Sequence, residues 1–97
     1  MRMKTMNRAE QANLEVRIDA ALKEVREELL SAMEHFPPFR SAHEGVAIIE
    51  EEFIEFRDAA YWPHKASTGY EETEVTQLAA MCVRYLVDVC YGTEVPR

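Results

Sequence analysis

The chain has 97 residues, 47% of them hydrophobic and 30% charged, with three Gly and four Pro. These numbers describe one compact, helix-prone domain over 1–97 with no room for a second core, which excludes a large multi-domain enzyme. Eleven Lys and Arg against eighteen Asp and Glu give a net charge of −7. A field of that sign repels polyanions and argues against a protein that grips DNA or RNA by its phosphates, while an acidic helix holding a metal ion stays compatible with it.

Nothing in the sequence approaches the roughly 20 apolar residues needed to cross a bilayer. The first residues, MRMKTMNRAEQ, lack the apolar centre of a signal peptide. The expectation is a cytoplasmic protein with no membrane partner. Cys82 and Cys90 are too few for a disulfide-stapled scaffold. Eight residues apart on one helix they are separated by about 12 Å of rise, beyond the reach of a disulfide. They are expected to be reduced packing residues, with a bridge between two subunits as the alternative.

After Asn7, apolar residues recur at spacings of three and four from Leu14 through Ile18, Leu22, Val25, Leu29 and Ala32 to Phe36, which predicts one long amphipathic helix over about residues 8–35. Such a helix is about 40 Å long, more than two shorter helices cover, so part of its stripe is expected to meet a second subunit. Pro37 and Pro38 stop it. Ser41-Ala42-His43-Glu44 has the form of a capping box that opens a second helix near Ala42.

Val46, Ile49, Phe53, Phe56 and Ala60 form the expected core stripe of that second helix, which Pro63 ends. A short polar loop, HKASTGY, leads to a second capping-box pattern, Thr68-Gly69-Tyr70-Glu71, and a third helix over about residues 70–91 with Gly92 as its stop. This helix is apolar around most of its circumference and so is expected to be central. Its polar residues Glu74, Gln77, Arg84 and Asp88 still fall on one face, within about 80°. The fold class is all-α: one long and two shorter helices in a four-helix-bundle-type core completed by dimerisation, with loose ends at 1–7 and 93–97.

The most informative run is Ile48-Ile49-Glu50-Glu51-Glu52-Phe53-Ile54-Glu55. On a helix, Glu51, Glu52 and Glu55 share an arc of about 100°, and like charges this close need solvent, basic side chains or a divalent cation. Ile48 on the same arc argues for a partly covered face. Hard cations such as Mg²⁺ take carboxylate oxygens and keep waters for a phosphate ligand. Arg84 lies on the face of Glu74 and Gln77 but also pairs well with Asp88 at i+4. Lys65 is a loop lysine that could meet phosphate. Tyr61, Trp62 and Tyr70 flank the loop, where they could stack on a base or form partial core. His43 is read as a residue of the turn, and Met81 as packing. Gly45 within a helix costs about 1 kcal/mol relative to Ala, which points to a close helix contact or to a ligand.

Taken together, His35-Phe36-Pro37-Pro38-Phe39, Ser41-Ala42-His43-Glu44-Gly45, Glu51-Glu52-x-x-Glu55 and Glu74-x-x-Gln77-Leu78-Ala79-Ala80-Met81-Cys82-Val83-Arg84-Tyr85 resemble the MazG-like branch of the all-α nucleoside triphosphate pyrophosphohydrolases, in particular its small phage and prophage versions. The resemblance covers about residues 35–91. It implies a family pattern of E-E-x-x-E followed by E-x-x-D on two adjacent helices around Mg²⁺, or Mn²⁺ in its place. Here Glu52, Glu55, Glu74 and Gln77 occupy the metal positions, and Glu51 the position that orients the attacking water or holds a second ion. Gln77 stands where the family has Asp and removes one negative charge. The register Glu71-x-x-Glu74 restores it, but Glu71 is already explained as a cap. The resemblance further implies a nucleoside triphosphate as substrate, cleaved to monophosphate and pyrophosphate, with Arg84, Lys65 and Trp62 as weaker substrate contacts and a homodimer or homotetramer as the working unit. The alternative is a non-catalytic helical dimer serving as an interaction or regulatory module.

Overall fold

The computed structural model describes residues 5–62 and 70–92. Three helices follow one another, α1 (Arg8–His35), α2 (Ala42–Tyr61) and α3 (Glu71–Tyr85), and α3 runs on into a single π-helical turn, Leu86–Cys90. There is no strand among the described residues, so the all-α expectation holds.

The helix ends follow from local chemistry. Asn7 caps α1: its side-chain oxygen accepts from the Glu10 backbone N–H at 2.8 Å while its side-chain NH₂ donates to the Glu10 carboxylate at 2.9 Å, a variant of the capping box in which the side chain replaces the backbone donor. At the other end Phe36 turns out of the helix ahead of the two prolines, its N–H still bonded to the Ala32 carbonyl. Ser41 caps α2 through its hydroxyl, which accepts from the Glu44 amide. The reciprocal arm of that box is displaced by one residue. Glu44 accepts from the backbone N–H and the guanidinium of Arg40, whose charge and hydrogen bonds hold the Glu44 carboxyl below its ordinary value.

Trp62 leaves helical geometry at φ −133 and ψ 63, as the residue before a proline is expected to do. Pro63, Lys65, Thr68 and the predicted loop lie outside the described residues. The third helix begins at Glu71, with Tyr70 at the cap position and no side-chain cap bond of its own; the expected box begins at Thr68, outside the described residues.

In the π-turn the Tyr91 N–H donates to the Leu86 carbonyl at 2.8 Å, five residues back, where a continuous α-helix was expected. The Gly92 stop works by contact: a Cβ there would collide with the Asp88 carbonyl.

α3 packs against both α1 and α2, which makes it central as predicted. The closeness of α2 and α3 depends on small residues. Gly45, Ala59 and Ala80 are buried, and a Cβ on Gly45 would lie 2.6 Å from Tyr85 Cδ2 and 3.1 Å from Phe39 Cδ2. Helix contact, not ligand approach, accounts for this glycine.

Several packing expectations are corrected. Val46 and Phe53 of the predicted α2 core stripe are exposed, because α2 turns the arc of Gly45, Ile48, Glu52, Glu55 and Ala59 inward instead. Val83, Leu86 and Val87 are exposed, and Cys82 and Cys90 are free and exposed rather than packed, since that side of α3 is not covered by the described residues. Along α1 only Leu29 is buried, and Leu22 of the stripe is exposed.

The single chain is also less compact than its composition suggested. Its Cα radius of gyration is 16.0 Å, against about 12.5 Å for a compact domain of this length. Its accessible surface is 7757 Å², against about 5,700 Å² for a compact monomer of this mass.

Candidate metal centre

Two helices supply the centre. Glu52 and Glu55 lie one turn apart on the inward arc of α2, and Glu74 lies in the first turn of α3. One carboxylate oxygen from each of the three falls within 4.8 Å of the others. Glu74 is only 2% exposed, and Glu52 and Glu55 are half-buried. The Oε2 atoms of Glu52 and Glu74 are buried without a hydrogen-bond partner.

An ionised carboxylate removed from water without a partner is expensive. That cost is visible in the protonation of the site. Burial first, then the charges of Glu55, Glu74 and Glu28, push the Glu52 carboxyl up from 4.5 to about 7. Burial and the Glu74 charge also raise Glu55. Three hard oxygen donors, two of them with orphaned buried lone pairs, form a donor set suited to a divalent cation of the Mg²⁺ or Mn²⁺ type.

Beside the carboxylates is a cavity of about 400 Å³ whose walls include Glu28, Glu51, Glu52 and Gln77 together with Phe36 and Ile48. Glu51 is exposed there and Gln77 half-buried. Met81, half-buried, forms part of the same wall. Glu71 is exposed at the start of α3 and is not among the three clustered carboxylates.

Arg84 also reaches the cavity, yet its guanidinium is committed to structure. Nε donates to Asp88 at 3.0 Å, Nη1 to the Ala32 carbonyl at 3.3 Å and Nη2 to the Phe36 carbonyl at 2.9 Å. The Phe39 ring lies 5.5 Å from its Cζ, and the Phe39 N–H donates to the same Asp88 oxygen at 3.0 Å. The i+4 pairing read from sequence is therefore present, as one strand of a larger knot. Trp62 is exposed and stacks edge-on against Tyr61 at 5.6 Å; neither ring is among the cavity walls.

Sequence reasoning missed Glu28. Its signal was available: it stands three residues after Val25 and four before Ala32, which embeds a carboxylate in the apolar stripe of α1. Compared with family models, curated proteins and solved structures, the chain finds no match.

Proposed function

We propose that the chain is a divalent-cation-dependent nucleoside triphosphate pyrophosphohydrolase acting in the cytoplasm as a homodimer or homotetramer. The observation that carries this reading is the trio Glu52, Glu55 and Glu74, whose oxygens converge within 4.8 Å with two of them buried and unpartnered. A bound Mg²⁺ would supply charge neutralisation for the triphosphate and a more acidic water.

The chain's own residues do the rest. Glu52, Glu55 and Glu74 would each offer a carboxylate oxygen to the cation. Glu51, exposed on the cavity wall, orients the attacking water and accepts its proton. The water oxygen bonds to the α phosphorus, the bond from that phosphorus to the oxygen bridging to the β phosphorus breaks, and monophosphate and pyrophosphate leave. The apolar walls at Phe36, Ile48 and Met81 suit the flat, weakly polar face of a base.

Assembly is supported by the accessible surface of 7757 Å², which exceeds the compact-monomer value by about 2,000 Å², more than the roughly 800 Å² that a stable interface buries on each partner. Sedimentation at micromolar concentration is expected to give a dimer or larger, and a monomer overturns that part.

A screen for pyrophosphate release over ordinary and modified triphosphates with Mg²⁺ is expected to find a substrate, with Glu55→Gln abolishing turnover. No release from any triphosphate by protein that binds the cation overturns the enzymatic reading. The second reading, a non-catalytic helical module, is favoured by one feature, the neutral Gln77 in the cavity wall. Activity present only in Gln77→Asp would establish it.

A further inference from the structure

Resting on the reading of Glu52, Glu55 and Glu74 as a cation site, we infer that Glu28 of α1 supplies the fourth negative charge facing that cation, in place of the one absent at Gln77. A two-helix site therefore becomes a three-helix site. Glu28 and Gln77 share the walls of one cavity with Glu52, and Glu28 is half-buried there. Its neighbours along α1, Val25 and Ala32, are half-buried too, and Leu29 is buried, so Glu28 sits on the side of α1 that packs against α3.

Carboxylates alone on a helix bundle do not make a ligand site. Here an independent observation does: Glu74, 2% exposed, holds an oxygen with no hydrogen-bond partner among these acids. A fourth carboxylate directed at a region already crowded with negative charge lowers the stability of the cation-free chain and gains its value only when a cation arrives.

The chemistry assigns Glu28 a positioning role. The three oxygens within 4.8 Å are those of Glu52, Glu55 and Glu74, and Glu28 is outside that inner set. A divalent cation with three carboxylate ligands keeps waters. With the cation bound, Glu28 would be placed to accept a hydrogen bond from one of those waters and to offset part of the charge, as carboxylates outside the coordination sphere do at other metal sites. Gln77, neutral, offers a carbonyl oxygen or an N–H to the same water.

The test is Mn²⁺ binding, followed by calorimetry and by the paramagnetic resonance signal of the free ion. It uses the full chain and four variants: Glu28→Gln, Gln77→Asp, Glu28→Gln with Gln77→Asp, and Glu74→Gln. Glu28→Gln is expected to weaken Mn²⁺ binding by about ten-fold or more, while the cation-free protein melts at an equal or higher temperature. Adding Gln77→Asp to Glu28→Gln is expected to recover most of the loss, a rescue that a merely structural role for Glu28 does not give.

Unchanged Mn²⁺ affinity in Glu28→Gln, with Glu74→Gln still losing it, overturns this inference and leaves the cation site standing. No Mn²⁺ binding by the native chain overturns both. Mn²⁺ binding that depends on Glu28, without pyrophosphate release from any triphosphate, supports the inference and fails the enzymatic reading alone.

Discussion

Arg84 and Glu74 stand ten residues apart on the same helix and are equally hidden, each 2% exposed, yet they meet opposite surroundings. Arg84 is saturated: a carboxylate, two backbone carbonyls and an aromatic face account for its charge. Glu74 has other carboxylates for neighbours and an oxygen with no partner. A buried charge with its partners in place is a structural device. One kept without partners among like charges is a candidate for function. The helix thus carries a finished electrostatic unit toward its C-terminal end and an unfinished one near its start, and the unfinished end is where the proposed cation would sit.

The sharpest way to break this contrast is to remove each charge. Arg84→Met leaves the Asp88 carboxylate and two carbonyls without their donor, and is expected to cost roughly 3–5 kcal/mol, enough to unfold much of the population in a urea titration at 25 °C. Glu74→Gln is expected to do the reverse in cation-free buffer, raising stability by about 1–3 kcal/mol because an unpaired buried charge is gone. In the native protein, Mn²⁺ at about 100 times its dissociation constant adds about 2.7 kcal/mol, and the melting temperature of Glu74→Gln should not respond to it. Destabilisation of equal size by both substitutions would erase the distinction.

A smaller effect probes the rigidity of the saturated end. Gly45→Ala brings a Cβ to 2.6 Å from the Tyr85 ring. Overpacking of this kind costs about 1–3 kcal/mol, partly offset by about 1 kcal/mol of helix propensity, so a net loss of about 1 kcal/mol should register in the urea midpoint.

A further effect is a slope with pH. The Glu52 carboxyl is raised from 4.5 to about 7, so between those values the folded chain holds a proton that the unfolded chain has released. Its contribution is full below the lower value and is lost as pH rises through the upper one. Cation-free protein should therefore lose stability across that interval relative to Glu52→Gln, and saturating Mn²⁺ should flatten the difference. A native chain with no more slope than Glu52→Gln would remove the electrostatic argument for Glu52.

Much of the scaffold was legible because its signals are local. The bounds of α1 follow from a sustained three-four spacing ended by two prolines, and the start of α2 from Ser41. Glu52 and Glu55 were legible by residue type and spacing, while their meeting with Glu74 was implied only by the family resemblance. What escaped is non-local. An apolar stripe was sought on α2, and the fold buries the acidic arc instead, because Gly45, Ala59 and Ala80 let α2 and α3 approach on that side. The π-turn follows no composition rule; it coincides with Asp88 answering both Arg84 and the Phe39 amide. Glu28 stood in plain view within a hydrophobic stripe, and only the approach of α1 to α3 gives it a destination.

The elbow from Phe36 to Phe39 has a consequence in the order of synthesis. Its carbonyl at Phe36 and its amide at Phe39 are bonded to side chains 48 and 49 residues further along. A ribosome adding about 5–20 residues per second therefore completes α1 and α2 seconds before the residues that lock them together exist. The nascent chain carries a hinge with no latch until Arg84 and Asp88 emerge. A chain ending at Val83, with most of α3 but neither latch residue, is expected to be cut by proteases like an unfolded polypeptide, whereas one ending at Gly92 should resist. Quality control on this protein is in effect a reading of Arg84 and Asp88.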